Sequence, residues 1–217
     1  MHKQTNEFYG KIFPWVLLVV VTISCFVFWG MYRDWSFEGI TALQLFPVLG
    51  MYAWSIMWTH YAVGSIRILN SEVTKNKIYS KVSGYIVLGL ILLHPGLLIW
   101  NQWSKSGIKP PESIYGYVDD SLKVFVFIGT LSLLIFLSFE VFRRMISRPI
   151  VKKYWNWVSL SQMLAMTLIF IHGMTLGGIL DDRYAELYWV VLGALLIPCF
   201  GLIVNDEWIN KQSKWLF

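Results

Sequence analysis

The chain has 217 residues, 56% of them apolar and only 14% charged, with 12 tryptophans and a net charge of +5. A water-soluble domain of this length needs more charged surface, so a soluble enzyme is excluded as the starting assumption. Nucleic-acid binding need not be invoked for the positive balance, because membrane topology and anionic lipid headgroups account for it.

Six long runs nearly free of charge follow one another: Pro14–Tyr32, Leu43–Ile66, Val82–Trp100, Leu122–Phe139, Trp155–Leu180 and Leu187–Val204. Each is close to the ~20 residues that a helix needs to cross ~30 Å of hydrocarbon. The first run is too long for a signal peptide, and WGMYRDW (Trp29–Trp35) after it offers no small-residue cleavage site. Trp15, Trp29, Trp35, Trp100, Trp103, Trp155, Trp157, Trp189 and Trp208 lie near the ends of these runs, where interfacial anchors are expected. The predicted architecture is all-α, a six-transmembrane-helix bundle forming one domain over residues 1–217.

Thirteen of the 18 Lys and Arg fall in the N-terminus, the 2–3 loop, the 4–5 loop and the C-terminal tail. The positive-inside rule therefore places both termini in the cytoplasm, with TKNKIYSK and RRMISRPIVKK inside and DDRYAE outside. Cys25 and Cys199 lie within apolar runs and offer no disulfide framework and no C-x-x-C pair. No Gly-rich nucleotide loop occurs, and no extramembrane stretch is long enough for a nucleotide-binding module.

Four histidines occur. His2 lies in a short tail and is assigned no role. The other three lie inside predicted helices, where an ionisable group is a functional hypothesis by default. At 1.5 Å per residue, His94 on helix 3 lies roughly 18 Å from its inner end and His172 on helix 5 roughly 22 Å from its own. His60 on helix 2 sits only about 10 Å above Arg67, in the inner half.

Two imidazoles at one depth on two helices suit the axial ligation of a haem, whose iron takes one ligand on each face. Pro95 removes a helical hydrogen bond beside His94 and is expected to kink helix 3 there. Gly173 and Gly177, with Gly178, follow His172 in a spacing that admits a neighbouring helix or a flat macrocycle. The alternative is that each histidine simply hydrogen-bonds across the bundle, and for His60 that is the preferred reading, with Ser, Thr or Tyr as partner. An additional ligand role for His60 is left open.

With Leu93-His94-Pro95 and His172 in view, the chain resembles the ferric reductase-like transmembrane domain family. That family includes NADPH oxidase membrane domains and the haem subunit of the bacterial methionine sulfoxide reductase system. The resemblance covers nearly the whole chain in helix number and topology, but its motifs are short. The family shows H-R-x-x-G on helix 3 and a second His fourteen residues later, often as L-H-P. Here Ser80-Lys81-Val82-Ser83-Gly84 occupies the first position and Leu93-His94-Pro95 the second. On helix 5, His172 matches the outer member of a His pair and Ser159 lies where the inner would be.

The resemblance implies two stacked haems, and both inner ligands are missing here. The expectation is one haem b in the outer half, ligated through its iron by His94 and His172, in the cytochrome subunit of a reductase. A bacterial cytoplasmic membrane is the expected location. The chain ends about a dozen residues after helix 6, so a flavin and nicotinamide module is expected on a separate protein, or the donor is quinol or an external flavin. Electron exchange is expected within the membrane or at the outer face, with the loop Asn101–Ser121 as dock. Two rivals are a haem-free six-helix partner or assembly protein and, less favoured because no membrane Asp or Glu is present, a proton-coupled transporter.

Overall fold

The computed structural model describes residues 8–70, 73 and 75–209, with side chains for 10–70, 73 and 75–208. His2, Thr74 and the terminal Lys3, Lys211 and Lys214 of the charge count lie outside the described residues. Six long helices follow in order: α1 (Phe13–Tyr32), α2 (Ala42–Leu69), α3 (Lys77–Ser106), α4 (Lys123–Arg144), α5 (Trp155–Leu176) and α6 (Arg183–Val204). Five of them, α1 and α3 to α6, are long and apolar enough to cross a membrane. The chain is an all-α integral membrane bundle.

The exception is α2, which has 28 residues but carries Gln44, Ser55, Thr59, His60, Ser65 and Arg67, and its hydropathy falls short. Its position explains the tolerance. α2 packs against α1, α3, α5 and α6, while α4 packs chiefly on α5. Ser55 accepts a hydrogen bond from Tyr188 on α6 at 3.1 Å, and Thr59 bonds the Tyr79 hydroxyl on α3. Lipid tails are as apolar as leucine, so packing and such bonds hold helices together in a membrane, each bond contributing about 0.6 kcal/mol on average.

Helix ends depart from the apolar runs where polar caps extend or stop them. α3 begins at Lys77, before Val82, because Asn76 Oδ1 accepts from the Tyr79 N–H at 2.9 Å. It ends at Ser106, where Gly107 takes a left-handed φ of 66° and donates to the Trp103 carbonyl at 2.9 Å. α6 starts at Arg183, before Leu187, with Asp182 accepting from the N–H groups of Tyr184 and Ala185. α4 runs on to Arg144, past Phe139, and α5 stops at Leu176 before a short 3₁₀ turn over Gly178–Asp181. α3 continues as one helix through Pro95, as α2 does through Pro47 and α6 through Pro198.

Three of the tryptophans expected at the interface are interior. Trp29, Trp155 and Trp189 are 7%, 4% and 2% exposed. Trp29 Nε1–H donates to the Gln44 carbonyl at 3.0 Å and Trp189 Nε1–H to the Phe170 carbonyl at 3.2 Å. An indole whose N–H finds a carbonyl on the next helix is as well placed inside the bundle as at the headgroups.

Candidate functional site

His94 on α3 and His172 on α5 meet. Their ring centroids are 6.5 Å apart and their planes cross at 82°. A metal held by two imidazoles through bonds of about 2 Å separates the centroids by roughly 6 Å. The near-perpendicular planes are compatible with two rings sharing one axis.

Each ring is held by the same device. His94 Nδ1 lies 2.5 Å from the carbonyl of Phe46 on α2, and His172 Nδ1 lies 2.8 Å from the carbonyl of Phe125 on α4. A carbonyl only accepts, so each Nδ1 carries the proton and each Nε2 keeps its lone pair. Among the described residues neither Nε2 has a hydrogen-bond partner. Anchoring one ring nitrogen to fix tautomer and orientation is what partners of metal-ligating histidines do.

Behind each ring stands a glycine. A Cβ on Gly50 of α2 would come within 2.9 Å of His94 Cε1, and one on Gly129 of α4 within 2.6 Å of His172 Cε1 and Nδ1. In both cases the carbonyl that binds the ring lies four residues before the glycine that backs it. The pattern F-x-x-x-G thus occurs twice, as Phe46–Gly50 on α2 and Phe125–Gly129 on α4, each on the helix preceding the histidine. The repeat is visible in the sequence as FPVLG and FVFIG.

The two rings line a gap of about 140 Å³, whose walls also include Met57, Ile91, Val126 and Leu133. α3 and α4, which both line the gap, are not packed closely on each other. Gly173 lines it too, but the space beside its backbone is taken by Trp189: an added Cβ would approach the indole to 2.7 Å. Gly177 ends α5, its N–H donating to the Gly173 carbonyl at 2.8 Å. From the loop between α3 and α4, Ile114 and Tyr117 line one side, and burial raises the Tyr117 phenol above its usual value.

His60 is placed apart from this pair. Ser83 on α3 donates its one hydroxyl proton to the Tyr79 carbonyl at 2.5 Å, so His60 Nε2–H donates to Ser83 Oγ at 2.9 Å. Among the described residues no group of three or more His, Cys, Asp or Glu could hold a bare metal ion. A haem does not require one, because its macrocycle supplies four of the six iron ligands and asks only two of the protein. The donor set therefore fits that group. The chain matches no family model, no curated protein and no solved structure.

Proposed function

We propose that this protein is a membrane electron-transfer cytochrome, holding one haem b between His94 and His172, and that it serves as the cytochrome subunit of a reductase. The observation that carries this reading is the pair of anchored imidazoles, 6.5 Å apart, each with its Nε2 lone pair unengaged. The resemblance to ferric reductase-like domains through Leu93-His94-Pro95 and His172 supports it.

When bound, haem would supply a one-electron couple at its iron. The chain's own contribution is positional. The Phe46 and Phe125 carbonyls hold both rings in one tautomer, Gly50 and Gly129 let them seat deeply, and the apolar walls keep water from the site. Such exclusion of water is one of the means by which a protein sets a haem potential.

The reading includes six membrane spans, with α2 as the sixth, both termini cytoplasmic and a bacterial cytoplasmic membrane as location. Quinol, a flavin or a redox partner protein exchanges the electron within the membrane or at the outer face. In a background lacking Cys25 and Cys199, an impermeant thiol reagent added outside should label cysteines placed at Gly107 or Arg183 and spare one at Asn76. The reverse pattern would invert the orientation.

The deciding experiment is the visible spectrum of protein purified from cells supplied with haem, with a pyridine haemochrome count. One haem per chain with bis-histidine bands is expected. A colourless, folded protein would instead identify a haem-free bundle in which both rings serve only as interhelical donors.

A further inference from the structure

A second cavity adjoins that gap, toward the basic end of the bundle. It is the larger of the two, about 320 Å³, and shares Met57, Ile91 and Phe136 with the gap between the histidines. Its character is amphiphilic. The lining includes the cations Arg67, Lys75 and Arg143 and the single carboxylate Glu140, which bonds Arg143 at 2.8 Å and 3.2 Å. The rest of the wall is largely apolar, with Val87, Leu88, Ile91, Phe136 and Phe139.

Two further observations point to an occupant. Trp155 is only 4% exposed and lines the cavity, yet its Nε1–H has no partner among the described residues. Gln162, on the same wall, has an Oε1 without a partner. Buried donors and acceptors are costly to leave unmade. The three cations are also close enough to feel one another: burial, then Arg67, Arg143 and Lys77, hold the Lys75 ammonium below its usual value.

We propose that this cavity is a binding site for one anionic phospholipid. Its phosphate group sits among Arg67, Lys75 and Arg143, and an acyl chain lies against Val87, Ile91 and Phe136. Charge complementarity selects the headgroup, since basic pockets between membrane helices at the cytoplasmic side bind such groups. The apolar wall selects a tail, which inorganic phosphate lacks. α3 and α4 both line the cavity and are not packed closely on each other, so a lipid would enter laterally between them.

The test is native mass spectrometry of the whole protein in nonionic detergent, titrated with phosphatidylglycerol or with phosphatidylcholine of the same chains. One phosphatidylglycerol should be retained in clear preference to phosphatidylcholine. The double variant Lys75→Gln/Arg143→Gln should weaken phosphatidylglycerol by roughly thirtyfold and leave phosphatidylcholine unchanged. Gly84 lines the cavity, and a Cβ there meets nothing within 4 Å, so Gly84→Leu starts from open space and, by occupying the cavity, should abolish retention.

Equal retention of both lipids would overturn the proposal, as would displacement of phosphatidylglycerol by equimolar inorganic phosphate. A second haem per chain, lost in Gly84→Leu, would give the cavity another occupant and also overturn it. None of these readouts depends on whether His94 and His172 hold haem.

Discussion

The His94–His172 pair and His60 are the same side chain in the same kind of helix, and they differ in which nitrogen the protein has used. At His94 and His172 a backbone carbonyl takes Nδ1–H and leaves Nε2 without a hydrogen-bond partner among the described residues, on two rings that line one gap. At His60 the Ser83 hydroxyl takes Nε2–H, and the ring lies tilted against Tyr79 with centroids 5.2 Å apart. The nitrogen farther from the backbone is thus presented in one half of the bundle and consumed in the other. Depth and residue type cannot distinguish these situations; the neighbouring helix does.

The largest effect expected from this contrast is on the spectrum. His94→Ala or His172→Ala should each abolish bis-histidine bands, because each removes one of two axial positions. His60→Ala should keep them. Loss of the bands in His60→Ala alone would reverse the assignment of the two halves.

Next in size are the glycines behind the rings. Gly129→Ala places a methyl 2.6 Å from His172 and should weaken haem retention by about ten- to a hundredfold, the usual range for disturbing what orients a ligand. Gly50→Ala, at 2.9 Å from His94, should act in the same direction and less strongly. Haem loss to apomyoglobin measures both. If the two variants lose haem at the wild-type rate, the glycine backing has no bearing on the ligands.

The smallest effect is expected at His60. Ser83→Ala removes the acceptor of His60 and should cost about 0.6 kcal/mol, the average for an interhelical hydrogen bond in a membrane. Thermal unfolding in detergent would show a small drop with unchanged haem content. A haem deficit in Ser83→Ala would tie the two halves together more closely than their separate bonding suggests.

Helix number and approximate placement were legible because hydrocarbon thickness fixes how long an apolar run must be. Matched depth, with Pro95 and Gly173 adjacent, brought His94 and His172 together as a candidate pair, and depth says nothing of which faces meet. Burial of Trp29, Trp155 and Trp189 was not, because a helix apolar all round gives no period from which to read its inward face. The carbonyl anchors lie 48 and 47 residues from the histidines they hold, a distance no local pattern spans. Only their repetition as F-x-x-x-G offered a clue. The basic cavity was foreshadowed by charge in the 2–3 and 4–5 loops, but its apolar depth arises from helices that do not quite close.

The polar character of α2 has a consequence for how the chain is made. An isolated segment leaves the translocon for lipid according to its own hydropathy, and α2 is, among the described residues, the long helix not counted with those apolar enough to cross a membrane. On the six-span reading, Ala42–Leu69 enters the bilayer poorly when synthesis has reached only α2. On that reading it would be retained at the translocon until α3, and later α5 and α6, offer carbonyls and hydroxyls to its side chains. Biogenesis would then proceed by late recruitment of the central helix, and truncated chains ending before α3 should leave this segment outside the membrane.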